Sequence, residues 1–132
     1  MNRILLAITI FAASLTAWAD TFKPFEVANV TRDQLETFKD EVESLYDGTA
    51  QHFPDQNLVV YSNNEEAMNY AFTTKGHPAH PAWITRQVVE SEDTVDIKQI
   101  GYFAGDEEPF AKLFQQYLEL NDKIKASMQG SN

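Results

Sequence analysis

Histidine has the most versatile chemistry in this sequence, because a neutral imidazole binds metal ions and also transfers protons near neutral pH. Two of the three histidines lie in the string His77-Pro78-Ala79-His80-Pro81, and the third is His52. A proline after each histidine of the string favours extended backbone, which holds residues three apart at about 9 Å. Two nitrogens bound to one zinc ion at about 2.0–2.1 Å cannot be so far apart. We therefore favour no metal site; the alternative, divalent metal binding by His52, His77 and His80, requires a turn in the string.

The same string lies within residues 67–89, a stretch with no acidic residue and two basic ones. The stretch combines aromatic and basic side chains of the kind found at interfaces with imidazoles that respond to mildly acidic pH. Its candidate binding residues are Tyr70, Lys75, His77, His80, Trp83 and Arg86. Because prolines stiffen a loop, the string predicts either a rigid connection between two elements or a recognition surface.

A second candidate surface is acidic. Glu36, Asp40, Glu43 and Asp47 are spaced so that they share one face of a predicted helix. Such a face either binds a basic protein partner or simply keeps an amphipathic helix soluble. No D-x-[DN]-x-[DN]-G loop accompanies the acids, so a dedicated calcium site is not indicated.

Catalytic chemistry has little support in the sequence. None of the serines lies in a G-x-S-x-G or S-x-x-K motif, and there is no cysteine. There is also no G-x-G-x-x-G or P-loop sequence for a nucleotide. We therefore predict no catalytic residue and no cofactor, and a small envelope enzyme remains the alternative.

The first nineteen residues indicate where the protein works. Arg3 precedes an uncharged apolar run that ends in Ala17-Trp18-Ala19, the pattern of a secretory signal peptide cleaved before Asp20. The run is too short for a membrane-spanning helix, so we expect no stable membrane insertion. We predict a periplasmic or secreted protein, with residues 1–19 as the signal peptide and residues 20–132 as a single domain.

Charge narrows the class of partner. The chain has 20 acidic and 10 basic residues, and loss of Arg3 with the signal peptide makes its net charge more negative than −10. Nucleic acids and anionic membranes need a basic surface, so neither is an expected partner. With 43% hydrophobic residues and no cysteine, the domain must be stabilised by an ordinary apolar core.

The periodicity of apolar residues predicts the elements that position these groups. We expect helices at Arg32–Asp47, Glu65–Phe72 and from Asp106 onward, and strands at Leu58–Ser62, Trp83–Glu90 and Val95–Ala104. Thr31 is a good cap for the first helix, and Gly48 can end it. The order α-β-α-β-β-α predicts a two-layer α+β domain with a three-stranded, largely antiparallel sheet.

The same patterns predict a core and one irregularity. The residues expected to be buried are Phe38, Val42, Val59, Phe72, Leu113, Phe114 and Tyr117. In the last strand the apolar alternation switches after Gln99, which indicates either a bulge near Gln99–Gly101 or a strand buried on both faces.

Together these features favour a non-enzymatic module. We expect a small, exported, acidic binding or inhibitory protein that acts on a protein partner, which the acidic surface predicts to be basic. The alternative is a histidine-dependent metal-binding protein or small enzyme of the envelope.

Overall fold

The computed structural model describes residues 22–130. The predicted signal peptide, Met1–Ala19, and the cleavage site before Asp20 lie outside these residues and stay predictions. The described elements, in chain order, are helix α1 (Arg32–Tyr46), a 3-10 turn (Asp47–Thr49), strands β1 (Gln51–Phe53), β2 (Leu58–Asn63), β3 (Met68–Thr73), β4 (Ala82–Glu90) and β5 (Val95–Phe103), and helix α2 (Glu107–Gly130).

The strands form one antiparallel sheet in the order β1-β2-β3-β4-β5, each paired with its neighbour in sequence. The expected three-stranded sheet and the order α-β-α-β-β-α are therefore wrong. The sheet has five strands, the order of the regular elements is α-β-β-β-β-β-α, and the two helices pack on opposite faces. The result is a three-layer domain in place of the predicted two layers.

Strand β3 explains most of this difference. It occupies the segment predicted as the helix Glu65–Phe72, and its Met68, Tyr70 and Phe72 alternate onto one buried face. A tight turn joins β2 to β3, in which Asn63 Oδ1 accepts a hydrogen bond from the Glu66 N–H at 3.3 Å. Ala67, in the same turn, has a positive φ of 54°. The second strand that was not expected, β1, lies between the predicted first helix and the predicted strand Leu58–Ser62, where no regular element was expected.

Helix α1 matches its prediction closely. Thr31 caps it with a reciprocal pair of hydrogen bonds to Gln34, at 2.9 and 3.1 Å. The helix ends in a 3-10 turn and not at a left-handed glycine. Its buried residues, Leu35, Phe38 and Val42, fall on one face and pack on the sheet.

The core between α1 and the sheet is aromatic. The Trp83 ring is fully buried and stacks between Phe38 and Tyr102, with both centroids at 4.7 Å. Phe72 stacks on the same ring at 5.7 Å, and Phe25 meets it edge-on at 6.3 Å. Aromatic pairs of this kind add stability beyond their buried area. The stacked rings therefore form a closely packed core on this face of the sheet.

Helix α2 packs on the other face, against β4 and β5. Phe110 and Leu113 contact a buried cluster with Ile84 and Phe103. The helix lies so close that a Cβ atom at Gly101 would stand 2.7 Å from the Phe110 ring, a separation that real Cβ atoms do not show.

The β4–β5 pairing settles the irregularity expected near Gln99–Gly101. It runs without interruption from Ala82 with Phe103 to Glu90 with Val95, so there is no bulge. The alternation switches because the end of β5 is covered on both faces: Tyr102 belongs to the α1 cluster and Phe103 to the α2 cluster.

Five of the seven predicted core residues are buried: Phe38, Val42, Val59, Phe72 and Leu113. Phe114 and Tyr117 are only half-buried and pack at the margin of the α2 cluster. Among residues 22–130, neither helix has an apolar stretch long enough to cross a bilayer.

Candidate binding groove

A groove lies on the α2 face of the sheet, between the helix and the first three strands. Because α2 packs on β4 and β5, part of this face of β1–β3 stays open. The groove has a volume of about 390 Å³, within the range of about 300–1,000 Å³ typical of small-molecule sites. Its apolar lining consists of Phe53, Leu58, Val60, Leu113, Tyr117 and Leu120. Phe53 and Leu120, 38% and 41% exposed, present apolar surface to solvent there.

The polar lining of the groove has no acidic residue. Its members are Gln51, Gln56, Ser62, Asn69, Arg86 and Gln116. Arg86 is thus the one charged residue in the lining, and it is a cation in a chain with 20 acids and 10 bases. The sign of the charge in the groove is therefore opposite to that of the protein.

Strand β4 and helix α2 together fix the position of Arg86. Its Cζ lies 4.5 Å from the centroid of the Tyr117 ring, a cation–π contact. Its Nη1 donates a hydrogen bond to Asn121 Oδ1 at 2.9 Å. Asn121 Nδ2 in turn donates to Gln99 Oε1 at 2.7 Å, and Gln99 Nε2 donates to the Phe114 carbonyl at 3.0 Å. This chain of amides holds the guanidinium in one orientation.

Within residues 22–130, no carboxylate forms an ion pair with the guanidinium of Arg86. The three ion pairs among the described residues are Lys39–Glu43, Lys125–Asp96 and Lys125–Asp122. Burial lowers the pKa of Arg86, but arginine stays protonated in proteins. A half-buried cation without a counter-ion costs free energy, and a bound anion would remove that cost.

Unused hydrogen-bonding capacity lies beside this charge. A guanidinium has five N–H donors, and the hydrogen bond to Asn121 uses one of them. The Nε of Arg86 and the Oδ1 of Asn69, its register partner on β3, are enclosed and have no hydrogen-bond partner among the described residues. Buried polar atoms normally find partners, and two of the exceptions among the described residues lie side by side at this end of the groove.

The other residues of the predicted recognition surface lie elsewhere. Tyr70 and Trp83 belong to the α1 cluster, on the opposite face from Arg86, and both are 0% exposed. Lys75 is exposed in the loop between β3 and β4. The structure therefore does not bring Tyr70, Trp83 and Arg86 together.

Both histidines of the β3–β4 loop are engaged within the loop. His77 Nδ1 accepts a hydrogen bond from the Ala79 N–H at 3.0 Å. His80 Nδ1 lies 2.8 Å from the hydroxyl of Thr73, which also accepts the Ala82 N–H at 3.0 Å. These bonds tie the loop to the ends of the two strands that it joins.

The pKa values of both imidazoles are lowered. Burial is the main cause in each case; the charge of His80 adds to the effect on His77. For His80, the hydrogen bond to Thr73 opposes the effect of burial, and the charges of Arg32 and Lys39 add to it. The folded loop therefore favours neutral histidines.

The third histidine of the metal hypothesis, His52, is exposed on β1. Among residues 22–130 no three His, Asp or Glu side chains are grouped so that they could hold a metal ion. Thr73 and His80 resemble a nucleophile and its base, but the Thr73 side chain is buried and bonded to the backbone of Ala82. The pair is suited to holding the loop.

The acidic surface of α1 is largely available. Glu36, Asp40 and Asp47 are exposed. Glu43 is half-buried, pairs with Lys39 at 3.8 Å and accepts a hydrogen bond from the Tyr61 hydroxyl at 2.8 Å. Burial, and then the hydrogen bond to the carboxylate of Glu43, raise the pKa of Tyr61.

Sequence analysis missed the amide network that orients Arg86. Asn121 is 3% exposed, and it falls four residues after Tyr117 in the apolar stripe of α2. A polar residue at an apolar position of a helix is a signal for a buried hydrogen bond, and it could have indicated this site. Asn69 and Gln99 gave no such signal, because strand residues at the edge of a core are often polar.

Comparison with known proteins gives no relative: no protein family, curated protein or solved structure shows significant similarity to the chain. The groove must therefore be interpreted from its own chemistry.

Proposed function

We propose that the protein is a non-enzymatic binding module whose groove holds an amphipathic anion, a ligand with an apolar body and one carboxylate. The observation that carries this proposal is the guanidinium of Arg86, which lies in an apolar groove with no acidic residue to neutralise it. A carboxylate would accept charge-assisted hydrogen bonds from its unused donors. The apolar body would cover Phe53 and Leu120 at the surface of the groove.

The lining of the groove supports binding over catalysis. It contains hydroxyl groups at Ser62 and Tyr117 but no His, Asp, Glu, Lys or Cys that could act as a base. Burial raises the pKa of the Tyr117 hydroxyl, so it stays protonated at neutral pH. A small envelope enzyme therefore has less support than a binding protein.

Two sources can supply an apolar body with a carboxylate. One is a free acid of the fatty-acid type, and the other is the C-terminus of a partner polypeptide that ends in apolar residues. The second agrees with a role as an inhibitory or binding module for a protein in the periplasm or outside the cell. The exposed acids of α1 would then favour a partner that is basic around the docked segment.

Histidine-dependent metal binding is the weaker candidate. The two loop histidines have their Nδ1 atoms in hydrogen bonds, and His52 is on β1. A metal ion held by the remaining Nε2 atoms would need a further ligand, and no group of three His, Asp or Glu side chains is assembled for it among residues 22–130.

Calorimetry with decanoate as the probe tests the proposal. Decanoate should bind one site per chain. Decanol and decylamine, which share its apolar body, should bind at least tenfold more weakly because they lack the anion.

A short apolar peptide with a free C-terminus, compared with its C-terminal amide, distinguishes the two ligand sources. Arg86→Met should abolish the preference for the anion, whereas Arg32→Met removes the same charge from the exposed surface and serves as the control. Equal affinity for decanoate and decanol would contradict the proposal.

A further inference from the structure

Strand β5 has an open edge. One side of the strand pairs with β4 along its whole length. On the other side, among the described residues, the strand pairs only at Phe103, whose N–H donates to Ala28 and whose carbonyl accepts from Val30, both at 2.9 Å. The edge from Val95 to Gly101 is left without a neighbouring strand in this part of the chain.

The direction of the free backbone groups follows from the same hydrogen bonds. Outward and inward residues alternate along an antiparallel strand, and Phe103 points outward. The N–H and carbonyl groups that face the open edge are therefore also those of Gly101, Gln99, Ile97 and Val95. The Ile97 N–H agrees with this direction, because it donates to the exposed side chain of Asp96 at 2.9 Å and not to β4.

We propose that the partner for this edge is a second copy of the chain, paired antiparallel through β5 with Ile97 opposite Ile97. In this register Val95 lies opposite Gln99, and all of these residues are outward-facing, so that they form hydrogen-bonded pairs. Asp96 of each copy, which pairs with Lys125 of its own chain at 3.5 Å, lies opposite Lys98 of the other copy. The register therefore gives two further cross-strand pairs of opposite charge. The strand is thus complementary to itself in charge and in hydrogen bonding.

The neighbouring register is less suitable. Pairing centred on Gln99 would put Val95 opposite Phe103, whose backbone groups are already used by Ala28 and Val30. It would also place Lys98 opposite Ile100 and leave both charges unmatched. Charge and backbone availability therefore select the register centred on Ile97.

A second groove follows the same edge and adds an apolar contact. It has a volume of about 390 Å³, and its lining includes Ile100, Phe110, Ala111 and Phe114. Val95 of the second copy, opposite Gln99, would approach this groove from the α2 side. The edge is distinct from the Arg86 groove, so this proposal does not depend on the proposed ligand.

Charged residues on an edge strand can also prevent monomers from pairing. Reversing the charges of Asp96 and Lys98 distinguishes this protective role from a role in dimerisation. Sedimentation should show a dimer of the exported protein. Lys98→Asp and Asp96→Lys should each weaken dimerisation about ten- to a hundredfold, because two like-charged pairs replace two opposite ones. The double variant Asp96→Lys/Lys98→Asp should restore the dimer. Circular dichroism of each variant confirms that it folds.

Three outcomes would overturn the proposal: a monomer at all concentrations, a dimer unaffected by the single reversals, or a folded double variant that does not recover. Backbone amide exchange gives an independent readout, since the Ile97 and Gln99 amides should become protected as protein concentration rises. Protection that does not depend on concentration would also contradict pairing at this edge.

Discussion

The two faces of the sheet are built in different ways. On the α1 face, aromatic rings stack on Trp83, and the core cluster extends from Val30 to Tyr102. On the α2 face, the helix covers β4 and β5 through a smaller apolar cluster, and a chain of amides holds Arg86 beside an open groove. The α1 face is built for stability, whereas the α2 face leaves a cation without a counter-ion, which the proposed anionic ligand would neutralise.

Truncating an aromatic ring on each face tests this comparison with the largest expected effect. Phe38→Ala should lower the free energy of unfolding by about 3–5 kcal/mol, because the ring is buried and stacked on Trp83. Phe53→Ala, at the exposed surface of the groove, should cost less than about 1 kcal/mol. Denaturant unfolding of both variants gives the two values. Similar losses would mean that the faces contribute equally to stability.

A polar atom within the α1 face offers a second test, with the opposite sign. Thr85 is fully buried, and its hydroxyl has no hydrogen-bond partner among the described residues. Thr85→Val keeps the shape and removes the unsatisfied group, so the free energy of unfolding should rise by about 1–2 kcal/mol. Thr37→Val, at an exposed position of α1, is the control. A loss of stability in Thr85→Val would indicate a hidden polar contact in this core.

Acid provides a further test, at the β3–β4 loop, with a smaller effect. The folded state lowers the pKa of His77 and His80, so it binds fewer protons than the unfolded chain below about pH 6.5. The stability associated with neutral histidines is therefore complete above that pH and is lost as the pH falls through the lowered values. A double His77→Ala/His80→Ala variant should flatten the decline in unfolding free energy measured from pH 7.5 to 5. An unchanged slope of unfolding free energy against pH would show that the loop histidines do not cause the loss of stability in acid. His52→Ala is the control for loss of an imidazole.

The elements predicted well from sequence are those determined by local signals. Thr31 and its reciprocal bonds with Gln34 mark the start of α1, and the two strands on either side of the β4–β5 turn are long enough to be recognised alone. Strand β3 is different, because Ala67, Met68, Ala71 and Phe72 fit a helical period. Pairing with β2 and β4 decides its structure. Such non-local contacts cannot be inferred from the order of apolar residues within a six-residue segment.

The candidate site could be predicted only in part. Arg86 was among the candidates, but Trp83 was grouped with it because the two are close in sequence. In a strand, residues three apart point to opposite faces, and here Trp83 joins the sealed core while Arg86 lines the groove. The groove itself depends on where α2 crosses the sheet, which the sequence pattern does not specify.

The most direct test of the central claim compares ligand stabilisation in the wild-type protein and Arg86→Met. Denaturant unfolding is measured for each with and without decanoate, and Arg32→Met serves as the charge control. We predict that wild type and the control gain unfolding free energy with ligand, by about 2.7 kcal/mol at a hundredfold excess over Kd. Arg86→Met removes an unneutralised cation, but it also takes the donor away from the buried Asn121 Oδ1, so the test is the gain with ligand, and this variant should gain little from decanoate. Equal stabilisation of all three proteins by decanoate would contradict the account.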